Sequence, residues 1–183
     1  MKSVKLTAIA LAAILSTAAL PALAQVMVGG APMYSSKDIV DNAVNSKDHT
    51  TLVAAVKAAG LVPTLKGTGP FTVFAPTNAA FAALPAGTVD TLLKPENKAA
   101  LTKVLTYHVV AGKLETAALI KAVDAGGGKA MLTEVSGGTL TATKSGTMIM
   151  LSDESGGMAH VTIPDVVQSN GVIHVVDKVL LPK

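Results

Sequence analysis

Four histidines, His49, His108, His160 and His174, are the side chains of this sequence best suited to carry a proton or hold a metal. Zinc needs three or four convergent nitrogen, sulfur or oxygen ligands. No H-x-x-x-H spacing occurs, and the chain has no cysteine, so no local ligand set is written into it. No metal site and no cofactor are expected. Asp153-Glu154 is an adjacent carboxylate pair, but neighbours on a strand point to opposite faces, and the surrounding Ser and Gly read as a solvated turn. Gly126-Gly127-Gly128-Lys129 departs from a phosphate-binding loop at both ends. Val123 stands at the first glycine position, and Ala130 replaces the hydroxyl residue that would meet magnesium. There is no G-x-S-x-G elbow for a nucleophilic serine, and Ser155-Gly156-Gly157 reads as a turn. These residues predict a protein that is not an enzyme.

One pair stays open. Tyr107-His108 combines a large amphipathic contact surface with a group that changes charge near neutral pH. As an exposed pair it would offer a contact for a partner; as a buried pair it would be a hydrogen-bonded support joining helix to sheet. Met131, Met148, Met150 and Met158 admit two readings as well, an adaptable surface for a partner or the filling of an irregular core.

Charge narrows the partners. Of 15 basic residues two, Lys2 and Lys5, lie in the first five positions; without them 13 basic face 12 acidic residues, a net charge of +1. Every basic residue is Lys. Without the guanidinium fork or a cluster of positive charge, nucleic-acid binding is not expected.

The elements follow from periodicity and punctuation. Lys2 and Lys5, an apolar run over 6–15 and Ala22-Leu23-Ala24 after Pro21 form the pattern of a cleaved signal peptide spanning 1–24. Thr7, Ser16, Thr17 and Pro21 interrupt it, so no stable membrane anchor is expected after cleavage. The last residues, Asp177 to Lys183, lack the apolar tail of a lipid-anchored precursor. A secreted or periplasmic location is therefore expected. Residues 25–35, with Gly29, Gly30 and Pro32, read as a flexible leader before a domain over 36–183. Short helices are predicted after Asp38, over 50–59 with Asp48 as N-cap and Gly60 as stop, and over 89–93, 96–106 and 116–124. Phe71-Thr72-Val73-Phe74 reads as a strand closed by Pro76, followed by a short helix capped by Thr77 or Asn78. From Ala130 onward six short β runs are separated by turns such as Gly137-Gly138 and Ser145-Gly146. Helices first and a meander of strands later predict an α+β domain.

Three ordered segments carry a family resemblance. Gly69-Pro70-Phe71-Thr72-Val73-Phe74-Ala75-Pro76-Thr77-Asn78-Ala79-Ala80-Phe81 resembles the first signature of fasciclin (FAS1) domains. Asn170-Gly171-Val172-Ile173-His174-Val175-Val176-Asp177-Lys178-Val179-Leu180-Leu181-Pro182 resembles the second, and Tyr107-His108 matches the tyrosine–histidine segment between them. Ala79 departs from the acidic residue that many members carry. The resemblance covers residues 36–183. It implies a FAS1 fold, a β-wedge or sandwich-like sheet region with helices packed around it. It also implies adhesion or binding to a cell-surface or matrix protein or polysaccharide. In animal members the pair matching Tyr107 and His108 is associated with integrin-dependent adhesion. The signature residues Phe71, Val73, Phe74, Pro76, Thr77, Asn78, Phe81, Asn170, Gly171, Ile173, His174 and Asp177 read as mainly structural. Phe71 and Val73 fall on one strand face and Thr72 and Phe74 on the other; Val172, His174 and Val176 oppose Ile173, Val175 and Asp177. An exported carrier of a small apolar ligand is the alternative function, and it requires an enclosed apolar cavity of a few hundred Å³.

Overall fold

The computed structural model describes residues 25–183, so the signal-peptide expectation for 1–24 lies outside the described residues. The expected leader is corrected at once. Met27–Val28 (β1) and Ala31–Pro32 (β2) form an antiparallel hairpin. Its turn uses Gly29 and Gly30 at φ 57° and 75°. Val28, Ala31 and Met33 are buried in a hydrophobic core. The two glycines that suggested looseness are the residues able to turn the chain this tightly.

Six α-helices and one strand follow before the chain reaches its second half. Ile39–Ala43 (α1) starts at Asp38, whose carboxylate accepts the Asp41 N–H at 2.8 Å. Thr50–Ala59 (α2) stops at Gly60 in the left-handed region, φ 74°. Asp48 does not cap it: a 3₁₀ turn over Lys47–His49 intervenes, and the cap comes from a distant residue. Asn78 Oδ1 accepts the Thr51 N–H at 3.0 Å. Val62–Leu65 (α3) leads to Phe71–Pro76 (β3), the strand that Pro76 closes. Asn78–Ala82 (α4) is capped by Thr77 Oγ1, which accepts the Ala80 N–H at 3.2 Å. Thr88–Leu92 (α5) and Lys98–Tyr107 (α6) complete this half.

Val109–Ala111 (β4) and Thr116–Ala125 (α7) precede the meander of Lys129–Thr133 (β5), Thr139–Ser145 (β6), Met148–Ser152 (β7), Met158–Gln168 (β8) and Gly171–Val176 (β9). The runs expected at 160–163 and 166–168 are one strand, β8, with register shifts at Ile163 and Val166 and Asp165 at φ 55° between them. The seven main strands form one sheet in the order β4-β3-β9-β8-β7-β6-β5. Its ends meet, because Val110 bridges Glu134 and the Val135 N–H donates to the Val109 carbonyl at 2.9 Å. The sheet thus curls into a barrel-like wall, and the domain is α+β.

Strands β3 and β9 run side by side and parallel within it. Parallel central strands are buried on both faces, and here the alternation sorts their side chains into two cores. Val73, Ala75, Ile173 and Val175 join the helical core with Ile39, Leu52, Val56, Phe81 and Leu105. Phe74 and Val176 join the strand-side core with Leu119, Val123, Leu140, Leu151 and Ala159. Burying a side chain of this size contributes about 1.5–3 kcal/mol.

Candidate functional site

The two signature strands touch along their length, from Phe71 beside Gly171 to Pro76 beside Val176. Gly171 is required there: a Cβ would stand 2.1 Å from the Phe71 carbonyl oxygen. Asn170 ties the end of β8 to the first helices. It accepts the Ile39 N–H at 3.1 Å and donates to the carbonyls of Leu65 and Gly67 at 2.7 and 3.0 Å. His174 is fully buried, stacks on Phe74 at 5.6 Å, donates through Nε2 to the Leu114 carbonyl at 2.7 Å and accepts the Asp165 N–H at Nδ1. Burial pushes its pKa down, so the neutral ring that can both donate and accept is the form held. Asp177 stays half-exposed and pairs with His160 at 3.0 Å. The signature residues are thus core, turn and cross-chain ties.

Tyr107 and His108 are 0% and 2% exposed. Of the two readings of the pair, this burial fits the hydrogen-bonded support and not a direct adhesion contact, and it places them where α6 meets the sheet. The Tyr107 hydroxyl donates to the Thr139 carbonyl at 3.0 Å and accepts the Glu154 N–H at 3.1 Å, so it joins two turns of the meander. Burial raises its pKa to about 12. His108 Nδ1 donates to the Val104 carbonyl at 2.8 Å, and Nε2 accepts the Leu180 N–H at 3.0 Å. This arrangement requires the neutral ring, and burial pushes its pKa down to about 4. The pair is an internal clasp that holds the meander and the C-terminal segment against α6.

Two further acid groups are tied into the fold. Asp153 Oδ1 accepts the N–H groups of Ser155 and Gly157 at 2.9 and 2.6 Å, and Oδ2 accepts the Leu181 N–H at 3.0 Å. It locks a turn and the chain end together, a role that the Asp-Glu dipeptide did not signal. Glu134 is 4% exposed. Its Oε2 accepts the Ser136 hydroxyl, and burial raises its pKa to about 8. Nothing in the sequence around Glu134 marked it as buried. Among the described residues no group of three or more His, Asp or Glu gathers in metal-binding range.

What the fold leaves outward is the convex face of β5–β8. Met131, Thr141, Ser152 and Met158 stand in register across the four strands and share that face. Met131, Met148 and Met158 are 77%, 51% and 45% exposed, while Met150 is half-buried. The methionines therefore form an adaptable, weakly polar surface studded with threonines. Within the helical core, an apolar cavity of about 50 Å³ lies between the β1–β2 hairpin, α1–α3 and the sheet. It is smaller than a carrier of lipid-like molecules requires.

A fasciclin-domain family model matches residues 47–182, and the chain belongs to that family. The Synechocystis protein sll1483 is 49% identical over 158 residues, covering 85% of this chain and 79% of that one. The immunogenic protein MPB70 of Mycobacterium bovis is 38% identical, covering 76% of this chain and 66% of its own length. The pig transforming growth factor-beta-induced protein ig-h3 is 35% identical over 131 residues, but this chain matches only 17% of it. A solved FAS1 domain pair from the insect cell adhesion molecule Fasciclin I superposes with a TM-score of 0.70 at 18% identity. That match covers 79% of this chain, which spans about half (51%) of the solved one, and it establishes the FAS1 fold.

Proposed function

We propose that this protein is an exported, non-catalytic binding module that attaches to a cell-surface or matrix protein or polysaccharide through the outward face of β5–β8. The observation that carries the reading is a division of labour. The chemically versatile side chains Tyr107, His108, His174 and Asp153 are committed to backbone groups inside the domain. Met131, Met148 and Met158 are left exposed on one face. Exposed apolar groups framed by hydroxyls are the material of recognition surfaces. A structural neighbour is a cell adhesion molecule. Another relative, 49% identical over 76 residues, is the cell surface glycolipoprotein MPB83 of Mycobacterium bovis. Both support a surface role, as does the signal-like sequence over 1–24. Among the described residues no helix is long and apolar enough to cross a membrane.

The test is binding of the purified protein to cells and to immobilised matrix proteins and polysaccharides. Wild type is compared with Met131→Lys/Met148→Lys/Met158→Lys. These positions are solvent-facing, so the variant is expected to melt like wild type while binding about tenfold more weakly or worse. Undiminished binding by the triple variant would remove this face from the account.

A further inference from the structure

The outward sheet face carries a donor set besides its threonines. Met148 and Met150 lie on β7, Met158 and His160 on β8, each pair two residues apart and so on one side of its strand. In the antiparallel register Met150 stands directly opposite His160, and Met158 lies opposite Ser152, diagonal to Met150. The Met150–His160 pair is of the close kind. The His160 N–H donates to Asp177 Oδ1 at 2.7 Å and its carbonyl accepts the Asp177 N–H at 3.2 Å, so its backbone groups turn toward β9 and away from β7. Opposed residues without ladder bonds between them bring their Cα atoms to about 4.5 Å. The two flanking methionines stand about 7 Å off, along the strand or on the diagonal. That span is within reach of a long, unbranched and adaptable side chain.

His160 is held from its other edge. Its Nδ1 meets Asp177 Oδ2 at 3.0 Å. A carboxylate only accepts, so Nδ1 carries the hydrogen and Nε2 is left with its lone pair. A carboxylate behind the ring is the arrangement that fixes the tautomer and orientation of a metal-ligating histidine. Among the described residues this is the ring's one hydrogen bond, and the side chain is half-exposed. Met148 and Met158 are half-exposed too, with Met150 partly covered between them.

We propose that His160 Nε2 and the thioether sulfurs of Met150, Met148 and Met158 form a binding site for a soft monovalent cation, copper(I). Ligand softness makes the choice. Thioether and imidazole donors suit copper(I), whereas calcium and magnesium take oxygen donors, and zinc takes thiolate, imidazole and carboxylate. Here every sulfur is a thioether or absent, because the chain has no cysteine, and no three His, Asp or Glu gather among the described residues. The site stands apart from the recognition reading. It needs no macromolecular partner, and Met131, three strands from Met158 in its row, belongs to the face but not to the site.

The probe is silver(I), which shares the charge, closed d shell and softness of copper(I) without its redox chemistry, added as the nitrate in chloride-free buffer. Methionine methyl NMR of the purified protein should show Met148, Met150 and Met158 shifting together and saturating at equimolar silver, while Met33 and Met131 stay in place. Long-range nitrogen spectra should show the His160 Nε2 resonance moving with them. Met150→Leu conserves volume, so it should melt like wild type while binding silver about tenfold more weakly or worse. Asp177→Asn leaves all four donors in place and should weaken binding by about 10–100-fold, as a positioning residue would. Copper(I), titrated without oxygen against a chromophoric chelator, should rank the variants in the same order, and equimolar zinc should displace neither ion. The proposal is overturned if Met131 shifts as strongly as the other three, if the shifts do not saturate, or if His160 Nε2 is unmoved. Wild-type affinity in folded Met150→Leu or Asp177→Asn, or displacement by zinc, also overturns it.

Discussion

In the core between α7 and the meander, Leu119, Val123, Leu140, Leu151 and Ala159 are all fully enclosed, whereas the core beneath α1, α2 and the β1–β2 hairpin leaves about 50 Å³ open beside His49. Both cores take side chains from the same two strands, β3 and β9, whose alternation feeds each in turn. The difference therefore lies in what is laid against the sheet. Strand against strand, with α7 as a plug, interdigitates short side chains completely. Several short helices and a two-residue-per-strand hairpin meet the other face at varied angles, and they leave a gap. The strand-side core backs the outward face of the sheet, and the helical core carries the unfilled volume.

Truncation should expose this contrast most strongly. Leu140→Ala removes a side chain with full contacts all round, at a cost of about 4 kcal/mol, while Leu52→Ala at the cavity wall should cost about 2 kcal/mol because fewer contacts are lost there. Urea denaturation measures both, and equal losses would erase the distinction. Next in size is Tyr107→Phe. It strips the hydroxyl from between Thr139 and Glu154 and should cost about 1–3 kcal/mol in the same assay, with partner binding unchanged once the protein is folded. Reduced binding by folded Tyr107→Phe would return the clasp to the recognition surface.

Gly29→Ala tests the cover of the helical core. With φ 57° and Ser46 Oγ in the path of a Cβ, it should cost about 1 kcal/mol or more. The loss should appear as faster hydrogen exchange at Met33, whose N–H donates to the Val26 carbonyl at 2.9 Å. Unchanged exchange there would mean that the hairpin does not depend on this contact.

The subtlest effect is pH. His108 is held neutral with its pKa near 4, below its ordinary 6.5. Its contribution is complete above about pH 6.5 and is lost as pH falls toward 4, because the unfolded chain then binds the extra proton. Glu134 is held protonated, with its pKa raised from 4.5 to about 8. Its contribution is complete below about pH 4.5 and is lost as pH rises through 8. Thermal melts of Glu134→Gln should therefore fall less between about pH 6 and about pH 9 than those of wild type. Parallel curves would show that Glu134 does not titrate in this window.

Local chemistry made much of this fold legible. Asp38 and Thr77 cap the helices they precede, Gly60 stops α2, Pro76 closes β3, and the alternation in Phe71–Phe74 and Val172–Val176 assigns each side chain to its face. Contacts between distant segments escaped it. The α2 cap comes from Asn78, not from adjacent Asp48. The β3–β9 pairing joins strands about a hundred residues apart, and β4 is too short to carry a pattern. Gly29 and Gly30 signalled a bend correctly, but only packing against Ser46 and Lys47 tells a tight hairpin from a loose leader. Polarity alone left Tyr107 and His108 open between surface contact and buried support, because their partners are backbone groups that no side-chain pattern records.

The central claim is that recognition belongs to the outward face of the meander. Methionine methyl NMR tests it most directly, since Met131, Met148 and Met158 report on that face and buried Met33 reports on the helical core. On adding the partner found in the binding screen, the three surface methyl signals should shift or broaden while Met33 stays in place. Perturbation of Met33 with the three surface signals unmoved would contradict the account and put the binding site in the helical half.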